Sequence, residues 1–432
     1  MLNFPLAWAQ NLSYEEALTD LENTPQMILA LLQLESAQKN LEVSSSLFQG
    51  EASLGYSQTW GEKTSSDQSN PEDLGNSDWE GISVSGRLNV IPYGPHAESV
   101  QRARWQLEQA ELNVRDERAS TIITVTEQYQ NALFAKKTWN IEQKTLELAE
   151  LQLEAVTTQF ESGAANETQR LQAELSLKQA EEGVRSAEQS FIQALQALSV
   201  TLGQSVTDVS GALTESRRPV NERPLEARAD IINAATSVQD AEITVMNGLR
   251  QALPSASLSL NYGLSPEEGR FDLGARIDTN SYQPTLSASY DPDFNMQQNA
   301  QTFRLDLSLS IPVDVSVASA LEAANLSLKQ SELREAQTRE LALLDIASKE
   351  AQANSAEVQV VLSQERRNQQ ETLLEAIQAR FDAGLVSMLE LKQAELDVLN
   401  SQLSLVQAQN ALRVAHMNLA VAYAMNPLEV YP

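Results

Sequence analysis

Residues that break helices are unevenly distributed along the 432-residue chain. Neither glycine nor proline occurs within residues 96–162, 313–383 or 385–426. These segments are rich in Ala, Gln, Glu and Leu, which are good helix formers, so the pattern predicts long helices. At 1.5 Å per residue, a helix over residues 96–162 spans about 100 Å, which predicts an elongated molecule. The predicted long helices are 95–162, 164–203, 313–383 and 385–426.

Glycine and proline concentrate instead in two windows, about 50–95 and 254–312, in which apolar and polar residues alternate. Leu258, Leu260 and Tyr262, for example, are separated from one another by single polar residues. Such alternation is typical of strands with one apolar and one polar face. The predicted strands are about 50–60, 80–91, 255–264 and 302–312.

The chain also carries an internal duplication. The sequence QFESGAANETQRLQAELSLK from Gln159 resembles RFDAGLVSMLELKQAELDVL, which begins at Arg380 in the second half of the chain. Both copies continue with apolar residues and with small residues, Ala or Ser, at intervals of seven, which is typical of supercoiled helices in close contact. The same order of helix, strands, long helix and helix occurs twice. We therefore divide the chain into a first repeat, a linker, a second repeat and a tail: 10–203, 204–224, 225–427 and 428–432.

The N-terminus has features of an export signal. Ala7-Trp8-Ala9 before Gln10 fits the small-x-small pattern of a signal-peptidase site. Residues 1–9 are too short for a whole signal peptide, so we expect the remnant of one whose beginning lies upstream of Met1; the alternative is an ordinary N-terminal tail. The sequence contains no run of about 18 apolar residues, so we expect no membrane-spanning helix.

Composition narrows the functional classes. The chain has 30 Lys and Arg against 59 Asp and Glu, a net charge of −29, which argues against nucleic-acid binding and favours a surface or lumen that attracts cations. It has no cysteine and only two histidines, His96 and His416. Thiol chemistry is therefore excluded and a histidine metal site is improbable. We expect no cofactor and no metal, and an enzyme is the least favoured class.

The predicted strands raise a physical problem. About four short strands with one apolar face cannot make a stable sheet in water, because their edges stay unpaired. If the apolar face meets lipid, the sheet must close on itself. The smallest such barrels need about eight strands, so several chains must contribute.

Several of these features together resemble the TolC-type outer-membrane efflux protein family, also called outer membrane factors. They are the signal-like start, LNVIPYG and LSLSIPVD at the strand-to-helix junctions, and the paired F-x-x-G turns. The resemblance runs from Leu12 to Pro427. It implies an α+β membrane protein: a homotrimer whose 12-stranded β-barrel, about four strands per chain, lies in outer-membrane lipid and is continuous with a long α-helical coiled-coil barrel through the periplasm.

The resemblance also implies a function and partners. The chain would be the passive outer-membrane exit duct of a tripartite efflux or type I secretion system, working with a periplasmic adaptor and an inner-membrane transporter. The cargo would be drugs, other small molecules or proteins. The alternative is a structural tether between the outer membrane and the cell wall or a surface layer, since long helices would serve both.

The family's two helix reversals serve for adaptor docking. Here they correspond to the following residues: Phe160, Gly163, Ala164, Phe381, Gly384 and Leu385. The alternative is that these are turn residues only, since glycine tolerates positive φ. Pro92 and Pro312 would mark the strand-to-helix junctions.

The family's gate is formed by acids six and nine residues after the second of these glycines. Here the sixth residue is Glu390, which matches, and the ninth is Gln393, which departs from the pattern. A ring of three Glu390 side chains would attract cations. One ring is a weaker electrostatic gate than two, and an ordinary exposed glutamate on a coiled coil is the alternative.

The second strand window leaves one further question open. Residues 271–291 alternate again but are rich in polar and turn residues. We favour two strands plus an elaborated external loop. The alternative is an extra hairpin, which would give six strands per chain and 18 in a trimer.

Overall fold

The computed structural model of the chain describes residues 10–59, 76–89, 91, 93–211, 215–220, 223–265, 270–291, 300–311 and 315–430. The predicted signal remnant at 1–9 and both junction prolines, Pro92 and Pro312, lie outside the described residues. The α-helices are α1 Tyr14–Thr19, α2 Pro25–Ser44, α3 Gly94–Glu161, α4 Glu167–Leu202, α5 Ala229–Ala252, α6 Val315–Asp382 and α7 Met388–Ala422. Short 3-10 helices span Asp20–Asn23, Leu225–Ala227 and Pro427–Val430.

The strands form two sheets. They are β1 Gln10–Leu12, β2 Phe48–Thr59, β3 Asn76–Leu88, β4 Val206–Val209, β5 Ser255–Ser265, β6 Arg270–Asp278, β7 Thr285–Asp291 and β8 Ala300–Ser310. β1 pairs with β4 in parallel. The other six strands form one sheet in the order β2-β3-β7-β6-β5-β8, in which every neighbouring pair is antiparallel.

The second strand window differs from the favoured expectation. Residues 271–291 form strands β6 and β7 inside the large sheet rather than an external loop, so the described sheet has six strands where four were expected. The physical reason is that, within the two strands, the polar residues that suggested a loop lie on one face, and the others form the turn at 279–284. Asp272 and Arg276 alternate with Leu273, Ala275 and Ile277 along β6, as in a strand with a wet and an apolar side.

The two longest helices are copies of each other in length and position. α3 and α6 each contain 68 residues. α4 follows α3 at the same spacing with which α7 follows α6. Each long helix ends just before a glycine with positive φ, Gly163 or Gly384. The long runs without glycine or proline therefore do form uninterrupted helices, because nothing in their sequence breaks the backbone hydrogen bonds.

Contacts divide the chain into two compact units, each of which draws on both repeats. Unit 1 comprises residues 1–33, 111–232 and 337–432, and unit 2 comprises residues 34–110 and 233–336. In unit 1 the alanines at intervals of seven on α4, Ala173, Ala180 and Ala187, are buried. A row of small side chains lets neighbouring helices approach closely, as the heptad pattern predicted.

Unit 1 has a core around a tyrosine. Tyr129 on α3 is fully buried among Leu12, Leu198 and Met417. Its hydroxyl lies 2.5 Å from the Ser210 carbonyl oxygen, just after β4, and 3.0 Å from the Leu12 carbonyl oxygen in β1. Its single proton therefore lies at the connection that pairing makes between the ends of these two strands. Burial raises the pKa of Tyr129, and the backbone bond to Ser210 opposes that shift. The phenol stays neutral and able to donate.

This core includes segments that the sequence analysis assigned to a linker and a tail. The linker, 204–224, contains β4, and its Arg217 N–H donates to the Val430 carbonyl at 2.7 Å. Val430 is itself buried. The described parts of both segments therefore contribute to the core of unit 1, which their short sequences show no periodicity to predict.

Unit 2 contains the large sheet and the start of α3 packed on α5. Glu98 accepts hydrogen bonds from Arg250 at 2.7 Å and from Asn247 at 2.6 Å, and both Glu98 and Arg250 are largely buried. The Arg250 guanidinium also stacks over the Tyr93 ring, 5.2 Å from its centroid. These paired charges fix the region where β3 leads into α3.

None of the helices described here has a segment long and apolar enough to cross a membrane.

Replacing Tyr129 with phenylalanine tests the role of its hydroxyl. The change removes the hydroxyl donor from the Ser210 carbonyl, while the Leu12 carbonyl keeps the Ser210 N–H, so we expect a loss of about 1–2 kcal/mol in unfolding free energy. The readout is the thermal midpoint of the detergent-solubilised protein. Tyr262→Phe, on the exposed face of β5, is the matched control and is expected to leave the midpoint unchanged. Equal midpoints for both variants would show that the hydroxyl does not hold this connection.

Candidate functional site

The two helix reversals have the same backbone. At the first, Ala164 N–H donates to Gln159 O at 2.7 Å and Gly163 N–H donates to Phe160 O at 3.0 Å. At the second, the Leu385 N–H bonds to Arg380 O and the Gly384 N–H bonds to Phe381 O, both at 2.8 Å. This pair of bonds is the Schellman arrangement, which requires a left-handed residue. Gly163 and Gly384 supply it with φ of 76° and 73°.

The helices after the reversals begin with side-chain caps. Asn166 and Gln169 bond reciprocally at the start of α4, with distances of 2.8 and 2.9 Å. At the start of α7, Ser387 accepts from the Glu390 backbone N–H at 3.2 Å. Each cap satisfies N–H groups that the first turn of a helix leaves free. Both reversals are therefore fixed locally by their own sequence.

The first reversal carries charged groups on α4, one of which reaches α3. Arg170 on α4 lies over the ring of Phe160 on α3, with its central carbon 5.5 Å from the ring centroid. Its guanidinium bonds to Glu167 and Glu174, each at 2.6 Å. The bond from Arg170 lowers the pKa of Glu167, so this pairing persists well below neutral pH. The contact of Arg170 with Phe160 links the two helices.

The second reversal is apolar at the equivalent positions. Leu391 stands where Arg170 stands in the first copy and is buried, with 5% of its surface exposed. Leu385 corresponds to Ala164 and is 71% exposed, and Met388 is 49% exposed. Within the described residues 364–400, every side-chain hydrogen bond stays inside its own helix. No side-chain hydrogen bond within this range therefore joins α6 to α7, and Leu385 and Met388 form an apolar cap on the surface of the second reversal.

The two predicted gate residues lie on the first turns of α7. Glu390 is exposed at the third position of the helix, and no described group pairs with its carboxylate. Gln393 is also exposed, and its amide donates to Asp397 one turn later at 3.0 Å. Leu391 and Ala394 between and beside them are buried. Both polar side chains thus lie on the solvent side of α7, with the carboxylate of Glu390 free for other groups.

The sequence analysis did not identify Arg170 or Met388 as members of the reversals. Aligning the two copies on their turn glycines reveals the difference, since it sets Arg170 against Leu391 and Glu167 against Met388. The backbone pattern is shared while the charges are not. The proposed junction residues Pro92 and Pro312 lie outside the described residues, so their role stays a prediction.

The chain matches one known protein family over most of its length. The family model described as "Outer membrane efflux protein" matches residues 19–204 and 220–424. A sequence comparison with curated proteins finds no match.

Solved structures of outer membrane channels share the fold. The CmeC outer membrane channel of Campylobacter jejuni superposes with a TM-score of 0.70 at 16% identity, covering 95% of this chain and 85% of CmeC. The MtrE outer membrane channel of Neisseria gonorrhoeae, solved in its open state, gives 0.69 at 15%, covering 96% of this chain and 89% of MtrE. The outer membrane protein VceC of Vibrio cholerae gives 0.65 at 16%, covering 96% of both chains.

Two substitutions at one glycine test the backbone of the second reversal. No atom lies within 4 Å of where a Cβ on Gly384 would sit, so only the positive φ opposes a side chain. Asparagine tolerates this conformation and a β-branched residue does not. We expect Gly384→Val to cost about 1–2 kcal/mol more unfolding free energy than Gly384→Asn, seen as a lower thermal midpoint. Equal midpoints would mean that the reversal adapts to another backbone conformation.

Proposed function

Because the chain belongs to the outer membrane efflux protein family, we propose that it is the exit duct of a tripartite efflux or type I secretion system. In this role the chain conducts its cargo passively, and an inner-membrane transporter supplies the energy. The duct forms when three copies close a β-barrel in the outer membrane above a helical barrel in the periplasm. The cargo is drugs, other small molecules or proteins, which the transporter selects before the duct receives them.

The observation that carries this proposal is the exposed apolar face of the large sheet. Phe303, Leu305 and Leu307 on β8 are 67%, 60% and 78% exposed in a single chain. Such a face is unfavourable in water and suited to hydrocarbon. In hydrocarbon the unpaired edges of β2 and β8 must also be satisfied, which requires closure. Six strands are too few to close alone, since the smallest barrels have about eight.

The helices support the same assembly. Leu341, Leu344 and Leu362 on the unit 1 part of α6 are 55%, 66% and 47% exposed. A surface helix of a self-sufficient protein seldom leaves so many leucines in water. Neighbouring copies of the chain would cover them, as a closed ring of helices requires. The number three comes from the family resemblance.

The apolar cap of the second reversal is the proposed adaptor contact. Leu385 and Met388 project from a rigid glycine turn, and the equivalent residues of the first reversal are Ala164 and Glu167. Burying a leucine side chain against a partner contributes about 1.5–3 kcal/mol. We therefore assign the stronger docking contact to the second reversal and a weaker one to the first.

The proposed gate uses Glu390. The three copies of this residue in the assembly would bring three carboxylates to one level of the duct, where they attract cations. Gln393, which departs from the family pattern, adds no charge. The net charge of −29 favours cations along the rest of the duct.

A dye-accumulation assay in cells tests the function. Deleting the gene is expected to raise intracellular dye several-fold, and the restored gene returns it to the original level. Leu385→Ser is expected to weaken adaptor docking about tenfold or more and to leave accumulation high. Ala164→Ser, the matched change at the first reversal, is expected to restore export. Unchanged accumulation in the deletion strain, with a damaged envelope, would favour the tether instead.

Single-channel recording in planar bilayers tests the gate. The purified protein is expected to conduct with cation preference, and Glu390→Gln is expected to weaken block by a multivalent cation about tenfold, since it removes three charges from one level. Glu332→Gln removes the same charges from the exposed surface of α6 and is expected to leave block unchanged. Identical block in wild type and Glu390→Gln would place the gate elsewhere.

A further inference from the structure

The hairpin of β6 and β7 occupies the middle of the large sheet. β7 pairs with β3 over six residue pairs, from Ile82 with Tyr290 to Arg87 with Thr285. On the other side, β6 pairs with β5 over eight pairs. The hairpin therefore separates β3 from β5. An accessory loop that folded back over a four-stranded sheet would instead leave β3 and β5 as neighbours.

The apolar face continues across the hairpin without interruption. Val84, Ala288, Leu273, Tyr262 and Phe303 form one row of paired positions from β3 to β8. The adjacent row on the same face contains Gly86, Leu286, Ala275, Leu260 and Leu305. Leu273 and Leu286 are 43% and 48% exposed, like the leucines of β5. The hairpin thus has the same lipid-compatible surface as its neighbours.

The opposite face stays polar across the same strands. Ser85, Ser287, Gly274, Asn261 and Arg304 form one of its rows. Another row contains Arg87, Thr285, Arg276, Ser259 and Asp306. The side-chain pattern of β6 and β7 is therefore that of a barrel wall with lipid outside and water inside. β6 has nine residues, enough to cross the hydrocarbon, and β7 has seven, as far as Asp291, where the described residues stop.

The turn of the hairpin, residues 279–284, contacts the end of β3 and the residues that precede α3. Gln283 is buried with 1% of its surface exposed, and it accepts from the Ile91 N–H at 3.3 Å and donates to the Ile91 carbonyl. The Leu88 N–H donates to the Pro284 carbonyl at 2.8 Å. The ring of Tyr282 meets that of Tyr93 edge to face, with centroids 5.1 Å apart. These contacts tie the turn to the end of β3.

From these observations we infer that β6 and β7 are two further membrane-spanning strands, so that the closed barrel has 18 strands instead of 12. This inference rests on the proposed trimeric duct. The described sheet has six strands and alternates in direction, so its edge strands β2 and β8 run antiparallel. The β2 edge of one copy can therefore pair with the β8 edge of the next in the same antiparallel pattern. Three copies then contribute 18 strands.

A wider barrel changes what limits transport. Barrel diameter grows roughly in proportion to strand number, so 18 strands give about one and a half times the diameter of 12. Barrels of 16–18 strands already enclose an open aqueous channel. The outer-membrane section then admits bulky solutes, and the periplasmic reversals set the size limit.

Cysteine substitution provides the test, since the chain contains no cysteine of its own. Leu286→Cys and Ser287→Cys are adjacent on β7 and lie on opposite faces. In liposomes, a charged water-soluble maleimide is expected to modify Ser287→Cys at least about tenfold faster, because the reactive thiolate forms poorly in hydrocarbon. Leu305→Cys and Asp306→Cys on β8 are the matched control pair and are expected to show the same ratio.

The outcomes separate this inference from the proposed function. If the cysteines at 286 and 287 react equally fast while those at 305 and 306 keep their ratio, the hairpin lies in water. The barrel then has 12 strands, and the proposed duct is unaffected. Equal rates in both pairs would overturn the membrane barrel and the hairpin assignment together. Cryo-electron microscopy of the unmodified protein gives an independent measurement: 18 strands support the inference, and 12 strands in a trimer overturn it.

Discussion

One chain cannot shield the backbone edges and the apolar face of its own sheet, and the proposed assembly of several copies follows from this constraint. The six described strands end in two open edges, β2 and β8, and one face carries exposed Phe, Leu, Val and Ile side chains. Exposure of the apolar face to water carries a free-energy penalty, and so does exposure of the unpaired strand edges to hydrocarbon. In the proposed assembly, copies of the chain join edge to edge in a membrane, which removes both penalties. Membership of the outer membrane efflux protein family indicates the outer membrane, and the open edges and apolar face of the sheet explain why a membrane is needed.

The internal duplication gave the chain two similar helix reversals that have since diverged. Their backbones use the same glycine turn and the same pair of hydrogen bonds. Their side chains differ, because Arg170 links the first pair of helices through Phe160 while the buried Leu391 occupies its place in the second. Separating α6 from α7 therefore breaks no such contact between a cation and a ring. That property suits the part of a duct to which we assign the gate.

The sequence predicted the helices better than the sheet, for physical reasons. Helix breakers delimit a helix directly, so α3 and α6 begin and end close to the expected positions. Strands β6 and β7 were mistaken for a loop because a strand with one fully polar face carries as much polarity as a loop, and Ala275 and Ala288 weaken the apolar signal of the other face. The β1 and β4 pair was missed because such short strands show no periodicity, and the two partners lie far apart in the chain.

The mass of the detergent-solubilised protein, measured together with its side view by electron microscopy, tests whether three copies of the chain form one closed tube. We expect a particle of three times the 47.5 kDa chain mass, with a closed tube along its axis. A folded particle of one chain mass that remains soluble without detergent would contradict it, because such a particle would have covered its sheet edges and apolar face alone.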